Sequence, residues 1–184
     1  MISEKIICAG FGGQGVMLMG QLLSYAANEH NLNTLWYPSY GPETRGGTAN
    51  CSVTISENKV NSPVISQADT IFVMNLPSLA KFEGKVKPGG RILINSSLVD
   101  RKTERTDVKA YYIPANEIAL KLGNPRVANM VMIGAYLEIT KLFDKETIIK
   151  LLKKSFGEEK AHLIPINDAA IQAGIDFIKE NYPQ

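Results

Sequence analysis

Residues 6–15 read Ile6-Ile7-Cys8-Ala9-Gly10-Phe11-Gly12-Gly13-Gln14-Gly15, and their reading decides the fold. The apolar run over 6–9 makes a short buried strand. Gly10, Gly12 and Gly15 follow at G-x-G-x-x-G spacing. Val16, Met19, Leu22, Leu23, Ala26 and Ala27 then form one stripe, which predicts a helix over 14–30. Glycines so placed let the backbone turn tightly, approach an anion closely and pack the helix on the sheet. The N-terminus of the helix offers free N–H groups to a phosphate. Thr34-Leu35-Trp36-Tyr37 supplies a second strand, ended by Pro38. Strand, glycine turn, helix and strand are the opening of a βαβ fold.

Downstream, residues 39–47 have no helical or strand period and are rich in turn formers, so they read as a long ordered loop. Ala49, Cys51, Val53 and Ile55 alternate with polar residues as a half-buried strand, and residues 57–59 turn it back through Val60 as a hairpin. Strands are predicted over 70–74, 91–95 and 110–113, with short helices over 76–82 and 114–122 between them. Lys87-Pro88-Gly89-Gly90 reads as a tight turn. The last third is helical: a largely apolar helix over 127–139, one from Asp144 to a stop at Gly157, and one capped by Asn167. The expectation is an α/β chain with a doubly wound, mainly parallel, Rossmann-like sheet and a β-hairpin insertion, forming one domain over 1–184.

Composition narrows the function. The chain has 184 residues, 45% of them apolar and 21% charged, which excludes disordered, collagen-like and coiled-coil classes. No apolar run approaches the ~20 residues of a membrane span. The N-terminus has no basic and apolar leader, which predicts a cytoplasmic chain. Twenty basic against eighteen acidic residues give +2, too even for a nucleic-acid footprint. Cys8 and Cys51 are too few for an iron–sulfur cubane, which takes about four cysteine ligands. His30 and His162 have no ligand neighbours at metal spacing, so no metal site is assigned. No catalytic constellation can be assembled either.

The glycine turn leaves several readings open. A dinucleotide site wants an acid about 20 residues on for the ribose, and Leu35-Trp36-Tyr37-Pro38 supplies none. An S-adenosylmethionine methyltransferase needs a similar acid. A Walker A loop fails because no Lys-Ser or Lys-Thr follows Gly15. Alternatively, Gly12, Gly13 and Gly15 only allow close packing. The loop over 39–47 is either a surface loop with a Glu43–Arg45 ion pair or an anion-handling or docking loop. The planar fork of Arg45 suits a carboxylate or phosphate.

Three motifs in order carry a family resemblance. They are the glycine turn at 10–15, Pro38-Ser39-Tyr40-Gly41-Pro42-Glu43-Thr44-Arg45-Gly46-Gly47-Thr48-Ala49, and Leu122-Gly123-Asn124-Pro125-Arg126-Val127-Ala128-Asn129-Met130-Val131. Together they resemble the gamma subunit of the 2-oxoacid:ferredoxin oxidoreductases, most of all the 2-oxoglutarate and branched-chain 2-oxoacid members. The resemblance implies a subunit, inactive alone, of an enzyme that decarboxylates a 2-oxoacid, 2-oxoglutarate foremost. Electrons pass to ferredoxin or flavodoxin, and an acyl-coenzyme A is formed. It implies that thiamine diphosphate, Mg²⁺ and 4Fe–4S clusters sit on alpha, beta and ferredoxin-like delta partners, and that this chain holds none of them. It places Gly10, Gly12, Gly13, Gln14, Gly15 and Arg45 toward coenzyme A. Ser39, Tyr40, Gly41, Pro42, Glu43, Thr44, Gly46 and Gly47 are placed at a partner interface, through which the isolated chain is expected to dimerise. Position 11 is Phe where many relatives have Arg, which removes one phosphate contact. The alternative is a nucleotide-binding Rossmann-like enzyme, an NAD dehydrogenase or a methyltransferase.

Overall fold

The apolar run at 6–9 lies at the centre of β1 (Ser3–Phe11). The computed structural model describes residues 1–40 and 48–184. It divides into two units, Met1–Tyr112 and Ile113–Gln184. In the first, β1 is followed by α1 (Val16–Glu29), β2 (Asn33–Tyr40), β3 (Thr48–Ser56), β4 (Ala68–Val73), α2 (Leu76–Phe82) and β5 (Val86–Asn95). β6 (Lys109–Ile113) lies at the boundary. The strands form one sheet in the order β2-β3-β1-β4-β5-β6. β1, β4 and β5 are parallel. β3 runs against both of its neighbours, β1 and β2, so β2 points the same way as β1.

Strand alternation divides the core between the two faces of the sheet. Ile7 and Ala9 pack with Ile71, Val73, Ile92 and Ile94 under Leu79 and Phe82 of α2. Cys8, between them in β1, pairs in register with Cys51, whose sulfur lies against Gly20 of α1. The two helices therefore cover opposite faces, and the expected doubly wound, mainly parallel α/β sheet is present.

Three local expectations in the first unit are corrected. The antiparallel pairing of β3 is with β2 and β1, and Val60 is not in a strand. With both edges of β3 already paired, a return strand after residue 57 has no edge to join. β2 continues through Pro38 to Tyr40. It is an edge strand among the described residues, where a missing N–H need not break a ladder. Residues 87–90 lie inside β5 as an irregularity: Ala68 pairs with Val86 but Thr70 with Arg91. Gly89 has φ +82°, and its N–H donates to the carbonyl of Asp107 at 2.7 Å.

At the N-terminal edge of the parallel strands sits an ion cluster. Glu4 accepts from Arg91 Nη1 at 3.1 Å and from the Thr70 hydroxyl at 3.0 Å, and Arg91 also donates to Thr70 at 2.8 Å. Asp69 accepts from the Lys5 N–H at 2.8 Å and pairs with Lys87. Burial raises the Glu4 carboxyl above its usual range, against the opposing pull of Arg91 and Thr70.

The second unit contains α3 (Ala115–Lys121), α4 (Ala128–Thr140), α5 (Lys145–Phe156) and α6 (Ile164–Asn181). α4 is buried along nearly its whole length, as its apolar composition predicts. It crosses α6 at Gly134 and Gly174. A Cβ on Gly134 would run into the carbonyl oxygen of Ile171, and one on Gly174 into that of Val131. Asp144 caps α5 by accepting from the Thr147 N–H at 2.9 Å, and Gly157 stops that helix with φ +65°. Asn167 is not a cap: α6 starts three residues earlier with Pro165 in its first turn, and the Asn167 amide donates to the Leu163 carbonyl at 2.8 Å.

Candidate functional site

β1 ends at Phe11 and α1 begins at Val16, so residues 12–15 make the whole turn. Its glycines are there for different reasons. Gly13 (φ +90°) and Gly15 (φ +75°) occupy the left-handed region that glycine enters without a Cβ penalty. Gly10 lacks space: a Cβ there would lie 2.6 Å from Gln14 Oε1 and 2.9 Å from Met74 Cβ. Gly12 has neither constraint, with no positive φ and nothing within 4 Å of an added Cβ. Close packing therefore explains Gly10 and leaves Gly12 unexplained by any contact among the described residues. Gly12 and Gly13 are exposed.

Gly15 is also the N-cap of α1, with no capping side chain and no acid in the first turn. The first N–H groups of a helix have no intrahelical acceptor, and together they carry a partial positive charge. Residues 10–15 contain no titratable side chain to offset that charge. Beneath this turn the Cys51 thiol donates to the Val16 carbonyl at 3.3 Å. The Cys8 thiol is pushed well above its usual range, first by its hydrogen bond to Cys51 and then by burial.

The Gln14 side chain turns inward. Its Oε1 accepts from the Phe11 N–H at 2.6 Å and from Asn75 Nδ2 at 3.4 Å, and its Nε2 donates to the Met74 carbonyl at 3.2 Å. Asn75 in turn caps α2, accepting from the Ser78 N–H at 3.0 Å. Asn75 is a site residue not singled out from the sequence, although Asn before Leu76-Pro77 is a helix-start pattern.

The sheet brings the second motif to the same edge. Gly10 pairs with Ala49, which pairs with Tyr40, and Phe11 pairs with Thr48. Both ends of the connection between β2 and β3 thus emerge beside the glycine turn. Ser39 is exposed on β2, and Tyr40 is its last residue. Gly41, Pro42, Glu43, Thr44, Arg45, Gly46 and Gly47 lie outside the described residues.

The start of α1 and the exposed Gly12 and Gly13 converge at this edge. The two cysteines are buried opposite each other, and no group of three or more His, Cys, Asp or Glu suited to a metal occurs among the described residues. No helix among the described residues is long and apolar enough to cross a membrane.

The model of the pyruvate ferredoxin/flavodoxin oxidoreductase family matches residues 5–177. The chain belongs to that family. Subunit VorA of ketoisovalerate oxidoreductase from Methanothermobacter marburgensis is 40% identical over 180 residues, 96% of this chain but 37% of VorA. This chain therefore spans little more than a third of that relative. Subunit KorC of 2-oxoglutarate synthase from Methanocaldococcus jannaschii is 34% identical over 184 residues, 96% of this chain and 95% of KorC. Among solved structures, the gamma subunit of the keto/oxoacid ferredoxin oxidoreductase of Geobacter sulfurreducens superposes with a TM-score of 0.79 at 28% identity, over 94% of this chain and 96% of that one. The resemblance carried by the three sequence motifs is thus that of the family, and the fold is that of its gamma subunits.

Proposed function

We propose that this chain is the gamma subunit of a 2-oxoacid:ferredoxin oxidoreductase, cytoplasmic and inactive alone. In this reading the whole of 1–184 serves as one gamma domain, completed by alpha and beta chains with thiamine diphosphate and Mg²⁺ and by a ferredoxin-like delta chain with 4Fe–4S clusters. The observation that carries it is the family match over 5–177, which runs through both structural units. The 2-oxoacid is 2-oxoglutarate in the first reading, supported by end-to-end similarity to KorC. The higher identity to VorA favours a branched-chain 2-oxoacid as the second. Co-expression with candidate partner chains tests the assignment: a complex that reduces ferredoxin only with a 2-oxoacid and coenzyme A supports it. The ratio of kcat/KM for 2-oxoglutarate and 2-oxoisovalerate then chooses between substrates. Failure of any alpha or beta chain to co-purify rejects the subunit reading, and micromolar NAD(H) or S-adenosylmethionine binding by the isolated chain revives the nucleotide enzyme.

Within the complex, the glycine turn (Gly10, Gly12, Gly13, Gln14, Gly15) and Arg45 face coenzyme A, while the rest of 39–47 faces the partner chains. The open side of Gly12 and Gly13 at the start of α1 supports this placement. A charge-assisted hydrogen bond from Arg45 to a coenzyme A phosphate contributes ~1.5–3 kcal/mol. Arg45→Ala then raises the apparent KM for coenzyme A roughly ten- to hundredfold and moves the 2-oxoacid constant much less. An unchanged coenzyme A constant in an intact complex removes Arg45 from the site.

A further inference from the structure

The crossovers of the sheet leave β1 and β4 in opposite directions. β1 leads through α1 to β2 on one side, and β4 leads through α2 to β5 on the other, although β1 and β4 are parallel neighbours. The crevice outside the carboxyl ends of two such strands is where open α/β sheets take their ligands. In this chain the crevice is bridged from within. Gln14 joins the Phe11 N–H at the end of β1 to the Met74 carbonyl and the Asn75 amide after β4. The carboxamide has one orientation that satisfies these partners: its oxygen receives two N–H groups and its nitrogen serves a carbonyl. Gly10 is glycine to make room for that oxygen.

We propose that Gln14 is a positioning residue, whose carboxamide fills the switch-point crevice and holds the glycine turn in the form that presents Gly12 and Gly13 outward. Gln14 belongs to the turn that faces the ligand, and its carboxamide, engaged with Phe11, Met74 and Asn75, acts through the backbone of that turn. A ligand approaches the outer face of the turn and the start of α1, and the crevice that would seat a dinucleotide pyrophosphate is already occupied. The kinetic part of this inference rests on the coenzyme A reading above; the structural part does not.

Three variants test it. Gln14→Met keeps the length of the side chain and removes every hydrogen bond. Gln14→Glu keeps the acceptor for the Phe11 N–H and loses the donor to Met74. Gly10→Ala leaves Gln14 intact but pushes its oxygen out of place. Hydrogen exchange is measured on the full-length chain. Gln14→Met and Gly10→Ala are expected to speed exchange over 10–15 about tenfold or more, as loss of about 1.4 kcal/mol of local protection requires, with α4 and α6 unmoved. Gln14→Glu is expected to keep Phe11 protected. In the assembled enzyme, Gln14→Met raises the apparent KM for coenzyme A about tenfold and leaves that for the 2-oxoacid in place. Unchanged exchange over 10–15 in both Gln14→Met and Gly10→Ala overturns the positioning role. Faster exchange with an unchanged coenzyme A constant supports the positioning role and rejects the coenzyme A reading of the turn.

Discussion

Replacing Gly134 by Ala sets two opposing effects against each other in the middle of α4. Alanine is the better helix former by ~1 kcal/mol, so on propensity alone the variant is stabilised. At this position the new Cβ runs into the carbonyl oxygen of Ile171 and falls 3.0 Å from its Cα. These are backbone atoms of α6, which no rotamer change can move aside. The two helices must separate, and buried neighbours such as Met130, Val131, Ala170 and Ile171 lose part of their packing. Overpacking of this kind costs ~1–3 kcal/mol, and a rigid neighbour puts it near the top of that range. The net expectation is a loss of about 2 kcal/mol. For a chain of this length that lowers Tm by roughly 4–8 °C, read by thermal or urea unfolding. Gly174→Ala is expected to lose a similar amount, because its Cβ runs into the Val131 carbonyl. The double variant should lose less than the sum, since the first separation opens space for the second methyl. A Gly134→Ala chain as stable as the original or more so would show that helix propensity wins, and would refute the close crossing.

In the glycine turn, Gly12→Ala is expected to leave stability within ~0.5 kcal/mol, whereas Gly13→Val costs ~1–3 kcal/mol because of its left-handed backbone; equal losses in urea unfolding would refute the distinction. For Glu4, the folded chain binds the carboxyl proton more tightly than the unfolded chain does. Its contribution is therefore complete below the ordinary value of 4.5 and is lost as pH rises through the raised folded value. Glu4→Gln should remove that part of the pH dependence, and Arg91→Ala should raise the Glu4 value further; identical stability slopes for the original and Glu4→Gln chains above pH 4.5 would contradict this. Cys8 and Cys51 are both fully buried, so a thiol reagent should label neither in the folded chain and both in denaturant; rapid labelling of the native chain would place at least one thiol at the surface.

What the sequence made legible was local. An apolar run, a glycine turn and a 3.6-residue stripe lie within some twenty positions of one another, and the structure has β1, the turn and α1 there. Asp144 and Gly157 bracket α5 by side-chain and backbone chemistry confined to single turns. The insertion of β3 between β1 and β2 depends on pairing between distant residues, such as Cys8 with Cys51, which hydrophobic alternation alone does not specify. Alternation alone therefore places the hairpin after β3, whereas β3 pairs back with β2. Pro38 read as a strand end because its position at a sheet edge is a property of the whole sheet. The bridge that Gln14 makes from β1 to the end of β4 was not legible, because its partners, Met74 and Asn75, stand 60 and 61 residues away. The motif at 39–47 carries no periodic signal, and only family resemblance gave it meaning.

The insertion of β3 also explains why the missing ribose acid and the glycine turn belong together. In the dinucleotide-binding arrangement the second strand lies beside the first, and an acid at its end reaches the ribose of a nucleotide seated on the glycine turn. Here β3 stands between them: Gly10 faces Ala49, and Ala49 faces Tyr40. Two strand spacings put the end of β2 roughly 10 Å from the end of β1, so an acid at residues 35–38 would lie one strand further from the turn than in that arrangement. The crevice on the other side of β1 is filled by Gln14. The glycine turn is thus flanked by β3 on one side and by the Gln14 bridge on the other, and its Gly12 and Gly13 are exposed. The turn adjoins Tyr40 and Thr48, from which the chain leads into residues 41–47. VorA and KorC are subunits of larger enzymes, and under the subunit reading proposed above the glycine turn and residues 39–47 are best tested together, in a reconstituted complex.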